Sequence, residues 1–301
     1  MVPASNQVYK GVLFAVLATF IWSGNFIVAR GVINDIPPIT LAFFRWLCAT
    51  IIILPFAWKS FTREKDKVTS RLHYFFWTSL FGVAIFNTFL YIAAHTTSAI
   101  NMALIGTCSS PVFSIILAAI FLRERITTFS IIGILMCLAG VILLLVQGSL
   151  TRLINFEFTS GDIWVLGAAI FFAGYNIMVR KRPPGMHANT FLLVTFFIGT
   201  LQLLPFYVWE ANHTAPVAWS GNLFLAVLYL GLGASVIAFL LWNSAIVKLG
   251  AGRTAMFGNL IPLFSSIEAV LILNEALSMI HLIAGTIIIS GVVIANLKKY
   301  K

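Results

Sequence analysis

CSSPVFSIILAAIFLRER, residues 108–125, and NLIPLFSSIEAVLILNEA, residues 259–276, are two apolar runs built on one plan. Pro111 answers Pro262 (262 − 111 = 151), and Glu124 answers Glu275 (275 − 124 = 151). The same offset carries Gly82 to Gly233 and Tyr91 to Trp242. An offset of 150 carries Gly24 to Gly174, Arg30 to Arg180 and Pro55 to Pro205. An offset held across four runs, with a one-residue slip, marks an internal duplication. About 20 apolar residues carry a helix across a bilayer. Ten runs meet or approach that length: 11–33, 38–58, 72–94, 98–122, 128–147, 161–181, 189–209, 221–244, 251–273 and 280–297. Each copy therefore holds five spans, an odd number, so the second copy must insert upside down. The expected fold is an all-α membrane protein of ten transmembrane helices, two inverted five-helix repeats (1–150 and 151–301) around a central cavity.

Composition agrees. Charged residues make up only 9% of the 301, and mean hydropathy is +1.00, so most of the surface faces something other than water. The net charge of +10 raises the possibility of nucleic acid, but the Lys and Arg fall in short bursts between apolar runs. That distribution is how membrane topology is written. With the N-terminus in the cytoplasm, sixteen basic residues lie inside: Lys10, Lys59, Arg63, Lys65, Lys67, Arg71, Arg123, Arg125, Arg180, Lys181, Arg182, Lys248, Arg253, Lys298, Lys299 and Lys301. Outside remain Arg30 and Arg152, with Arg45 inside the second span. Both termini are thus expected in the cytoplasm, and the lipid bilayer is the first partner. The three cysteines, Cys48, Cys108 and Cys137, lie in apolar runs and give no disulfide framework. The first run is longer than a signal-peptide core and is expected to remain as the first helix.

The order of short motifs resembles the drug/metabolite transporter superfamily, in its ten-helix EamA form, over nearly the whole chain. The residues that carry the resemblance are Trp22-Ser23-Gly24-Asn25-Phe26, Arg45, Tyr91 to Ala94, Pro111 and Leu122-Arg123-Glu124-Arg125. In the second unit Trp242-Asn243-Ser244-Ala245, Pro262 and Asn274-Glu275 answer them. The resemblance implies export of small metabolites, often amino acids, through a cavity open alternately to either side of a bacterial inner (plasma) membrane. The superfamily also includes carriers of sugar phosphates, nucleotide sugars and drugs.

Polar groups at membrane depth cost free energy and face a cavity or another helix. Arg45, whose repeat partner is Thr195, either snorkels to an interface or pairs with a substrate carboxylate or an internal acid. Glu268 answers Leu117, so its carboxyl belongs to one unit alone. It is read either as a proton-exchanging group, with protons as coupling ion, or as a neutral acid bonded between helices. Glu124 and Glu275 are each followed three residues later by a hydroxyl, Thr127 or Ser278, and read as a repeated turn with that hydroxyl capping the next helix.

Trp22 and Asn25 share one face of the first span, and Asn87, Tyr91 and His95 share one face of the third. Ser235, Phe239 and Trp242 do so on the eighth, with Asn243 beside them. The repeat would set Tyr91 and Trp242 on facing sides of one site, suited to an apolar, aromatic or cationic solute. The alternative places both rings in the interfacial belt. Tyr175 and Asn176 stand in the sixth span where Asn25 and Phe26 stand in the first. Asn259 and Glu268, nine apart, point to nearly opposite faces of a regular helix unless Pro262 redirects it. Pro111 and Pro262 each remove a mid-span backbone hydrogen bond and mark possible hinges.

No zinc helix, nucleophile elbow or phosphate loop occurs, so neither a cofactor nor enzymatic chemistry is expected. Transport would be driven by a gradient or by exchange. The rivals are a carrier for nucleotide sugars, sugar phosphates or drug-like solutes, and an intramembrane enzyme or lipid-handling protein.

Overall fold

The computed structural model describes residues 5–32, 34–97, 99–146, 151, 159–273 and 279–296. Arg152, the Glu275–Ser278 turn and the three C-terminal lysines lie outside them. Among the described residues all regular structure is helical. The elements are α1 (Ser5–Gly31), α2 (Pro38–Thr69), α3 (Leu72–Ala93), α4 (Ala99–Leu122), α5 (Thr128–Val146) and α6 (Ser160–Arg180). They continue as α7 (Ala188–His213), α8 (Gly221–Leu249), α9 (Ala251–Met256), a 3₁₀ turn (Phe257–Asn259), α10 (Leu260–Leu273) and α11 (Met279–Asn296). Seven helices among the described residues are long and apolar enough to cross a membrane by length and composition. The protein is an integral membrane protein, and the large apolar side chains left exposed, such as Phe56, Leu135, Phe206 and Leu282, suit contact with lipid.

Helix α2 outruns its apolar stretch. Its 32 residues span about 48 Å at 1.5 Å per residue, against a hydrocarbon core of about 30 Å. The run 38–58 therefore sits in the bilayer, and the basic segment expected to be a loop continues the helix to Thr69. The start of α2 is held by a residue that sequence patterning passed over. Glu210 of α7 is buried and accepts from Ile39 N (3.2 Å), Thr40 N (2.6 Å) and Thr40 Oγ1 (2.7 Å). A carboxylate there meets the unpaired N–H groups and the positive end of the helix dipole.

Packing is reciprocal. Helix α1 packs against α8 and α10, and α6 packs against α3 and α4; α2 pairs with α7, and α5 with α11. The α5–α11 pair approaches closely at Gly291, where an added methyl would lie 2.8 Å from both Cys137 Sγ and Gly133 O. Small residues let membrane helices close to this distance.

Two helices carry π-helical stretches, Leu80–Ile85 in α3 and Tyr229–Ile237 in α8. The 151-residue offset places Gly82 and Gly233 one in each. The second stretch has a consequence for the site. Ala238 N–H reaches back five residues to Gly233 O, so the four-back carbonyl, Ala234 O, is open to side chains.

The two prolines differ. Pro111 lies inside the continuous helix α4. Pro262 is instead the third residue of α10, just after the 3₁₀ turn, where its missing N–H costs little. Pro262 nonetheless stays in the middle of the run 251–273, since α9, the 3₁₀ turn and α10 follow one another without a gap. At the α4–α5 turn the expected cap is present: Thr127 Oγ1 accepts from Ser130 N at 3.1 Å. Glu124 does more than turn the chain, since its Oε1 accepts from Ala251 N (3.4 Å) at the start of α9.

Candidate functional site

A cavity of about 90 Å³ lies between α1, α2, α3, α4, α6, α8 and the α9–α10 junction. Its wall is mostly aromatic and small: Trp22, Phe86, Phe172, Phe239 and Trp242, with Ala168, Ala169, Gly106 and Gly258. The rings interlock. Trp22 and Trp242 have centroids 4.9 Å apart, and Trp22 meets Phe239 (5.6 Å) and Phe172 (5.7 Å) edge-on. Each indole N–H is already committed, that of Trp22 to Ala234 O and that of Trp242 to Asn176 Oδ1, both at 2.9 Å. The tryptophans therefore show the cavity their rings and no free donor.

One charge reaches this wall. Arg45 is 1% exposed and sits seven residues into α2, about 10 Å from its start. Its Nε donates to Ser235 Oγ (2.8 Å). Nη1 faces Asn25 Oδ1, Asn87 Oδ1 and Tyr91 OH, each at 2.9 Å, and Nη2 donates to Ala234 O (3.2 Å). The guanidinium also lies 5.0 Å from the centroid of the Trp46 ring. Among the described residues the one ion pair is Lys67–Glu64, so Arg45 is held by neutral acceptors alone. Burying an unpaired ion costs several kcal/mol, a cost these hydrogen bonds and the adjacent cavity offset in part. The snorkelling alternative does not survive, because the head group turns inward to α1, α3 and α8.

A second polar cluster stands beyond the aromatic wall. The Tyr175 hydroxyl lies 2.9 Å from Asn243 Oδ1 and 2.7 Å from Asn243 Nδ2, and Asn176 Nδ2 donates to Ser114 Oγ (3.3 Å). All of these side chains are buried, and they carry no charge.

Of the residues singled out in the sequence, Trp22, Asn25, Arg45, Asn87, Pro111 and Trp242 line the cavity. Tyr91 stands behind it, joined through Arg45. Tyr91 and Trp242 are both buried, so neither belongs to an interfacial belt, and of the two Trp242 lines the cavity. Tyr175, Asn176 and Asn243 form the second cluster. His95, placed on the Asn87–Tyr91 stripe, is exposed in the turn after α3. Asn259 is buried in the 3₁₀ turn, donates to Met256 O (3.0 Å) and does not line the cavity; Gly258 and Ile261 do. Glu268 lies off the wall as well. Its Oε1 accepts from Ser23 Oγ of α1 (2.7 Å), and its Oε2 is buried without a partner among the described residues. Phe86 and Phe172 were missed because 27 phenylalanines leave no single one distinctive. Ala234 O was missed because a carbonyl freed by a π turn has no residue signature.

The model of the EamA-like transporter family matches residues 9–146 and again 159–297. A transporter of Archaeoglobus fulgidus with no assigned substrate is 27% identical over 291 residues, 96% of this chain and 98% of its own. A probable terminal-alkyne amino-acid exporter of Streptantibioticus cattleyicolor is 30% identical over 190 residues, 62% of this chain and 61% of its own. A probable amino-acid metabolite efflux pump of Escherichia coli is 23% identical, covering 95% and 94%. A solved crystal structure, 20% identical, shares the fold with a TM-score of 0.76 over 95% of this chain and 96% of that one.

Proposed function

The chain belongs to the EamA-like transporter family, and we propose that it is a secondary active carrier that exports small metabolites, amino acids or related compounds, by alternating access. The family and the names of its relatives point to a transporter rather than an enzyme. The observation that carries the proposal is the central cavity, an aromatic chamber with one cation on its wall, lined by both halves of the chain. In this reading Trp22, Asn25, Asn87 and Trp242 contact the solute, Arg45 pairs with it, and Tyr91, Tyr175, Asn176 and Asn243 hold the wall in place.

The ten-helix arrangement as two inverted units is part of the same proposal. It is supported by the twofold match of the family model, the packing of α1 against α8 and α10 mirrored by that of α6 against α3 and α4, and the π turns at offset-matched positions. The distribution of Lys and Arg supports cytoplasmic termini in a bacterial inner membrane. Cysteines introduced at 152 and 65 should then react with impermeant reagents from outside and inside respectively, and the reverse pattern overturns this topology.

Glu268 is proposed as the proton-coupling group, outside the solute cavity, because one oxygen is buried with no partner among the described residues and the other bonds the Ser23 hydroxyl of α1. The test is uptake of radiolabelled solutes into proteoliposomes with and without a pH gradient. Wild-type protein should accumulate solute with the gradient, and Glu268→Gln should lose that dependence while keeping exchange. Equal pH response in both removes the coupling role. A carrier for nucleotide sugars or sugar phosphates is disfavoured, since several bases would be needed at the cavity and Arg45 is the one that lines it among the described residues.

A further inference from the structure

We infer that the solute held in the central cavity is a compact organic anion, a single carboxylate on an apolar or aromatic body. This rests on the carrier reading above and narrows it.

The first observation is an excess of donors on the wall. Nη1 of Arg45 has three acceptors for two hydrogens, Nε is taken by Ser235, and Nη2 has Ala234 O alone, which leaves one Nη2 hydrogen unclaimed among the described residues. Asn87 is 2% exposed and turns Oδ1 to the guanidinium, so its Nδ2 points away from it and has no partner among the described residues. Both side chains line the cavity. A carboxylate accepts from both donors at once and gives Arg45 its counter-charge. An ammonium there meets the like charge of Arg45, with no carboxylate in the lining among the described residues to offset it. The Asn25 and Asn87 carbonyl oxygens already face Arg45, and Ala234 O accepts from both Arg45 and Trp22. Aromatic faces remain for the uncharged body.

The second observation is the approach. A larger pocket, about 350 Å³, begins about a turn further along the same helices: the cavity ends at Ser110 and Pro111 of α4, and this pocket takes up Ile115 and Ala118. It is lined by Arg125, Arg180 and Arg253 against a single acid, Glu124, whose Oε1 already accepts from Ala251 N. A pocket of that sign concentrates anions beside the cavity. The wall and the approach thus favour the same charge, and amino-acid derivatives without a free amine fit better than zwitterions.

The test uses purified full-length protein and equilibrium dialysis with radiolabelled phenylacetate, competed by phenylacetamide, benzylamine and phenylglycine. Phenylacetate should bind, and each competitor should be at least ~10-fold weaker, as expected for loss of one charge-assisted contact or an uncompensated ammonium. Asn87→Asp is nearly isosteric and supplies Arg45 with an internal counter-ion. It should weaken phenylacetate at least ~10-fold in protein that remains monodisperse. Benzylamine binding as tightly as phenylacetate, or no phenylacetate binding to the wild type, overturns the inference without reference to any variant. Unchanged phenylacetate affinity in Asn87→Asp overturns it too. Proteoliposome flux separates the two levels. Carrier-dependent movement of only neutral or cationic solutes retires the anion and keeps the carrier, whereas no carrier-dependent flux for any solute brings down the carrier reading itself.

Discussion

The Arg45 cluster and the Tyr175–Asn243 cluster flank one aromatic cavity and draw on positions that the sequence offset matches. Asn25 in the first corresponds to Tyr175 in the second, and Tyr91 corresponds to Trp242. Both clusters are buried and both close hydrogen bonds between α8 and helices of the first or second unit. They differ in charge. Where α2 carries Arg45, α7 carries Thr195, whose hydroxyl turns back to Phe191 O of its own helix (2.7 Å). The backbone can therefore repeat while the chemistry does not. A charge on one side of the chamber orients a solute, and the neutral cluster on the other side closes the wall without competing for it.

Removing the charge should have the largest effect. Arg45→Leu leaves the oxygens of Asn25 and Asn87 without their donor, and solute flux in proteoliposomes should fall at least ~100-fold. Arg45→Lys keeps the charge with fewer, differently directed donors, and flux should be intermediate. If flux falls only in proportion to folded protein recovered, Arg45 is scaffold and the two clusters are equivalent.

A smaller effect separates the two tyrosines. Tyr175→Phe strips the Asn243 amide of its partner in a buried, uncharged setting and should cost about 1–3 kcal/mol of stability. Tyr91→Phe removes one of three acceptors from a nitrogen with two hydrogens, so its cost should stay below about 1 kcal/mol. Thermal unfolding in detergent compares them directly. Equal losses would mean that the Nη1 acceptors are not redundant.

Much of this was legible in advance. The apolar runs fell on helices because span length and hydrophobicity are local properties of the chain, fixed by the bilayer's thickness. Trp22, Asn25, Arg45, Asn87 and Trp242 were found because polar and indole groups stand out in apolar runs. Asn259 was picked out for the same reason, but polarity at depth does not say which wall a residue joins: its Nδ2 donates to Met256 O, and its Oδ1 is buried without a partner among the described residues. Glu210 was overlooked because a carboxylate near the end of a span looks like an ordinary boundary residue until the start of α2 is seen against it.

By itself the sequence determined the membrane-protein class, the positions of the helices, the internal offset, and the fact that an arginine in the first half and an acid in the second have no counterpart in the other half. Periodicity, composition and offset are properties of the chain alone. Only the tertiary structure decided that Arg45 faces the chamber and Glu268 does not, that Tyr91 serves the arginine while Trp242 forms the wall, and that Ala234 O is free to accept from two side chains. Each of those depends on which groups from distant helices come within hydrogen-bonding reach, and that distance is set by packing rather than by position in the chain.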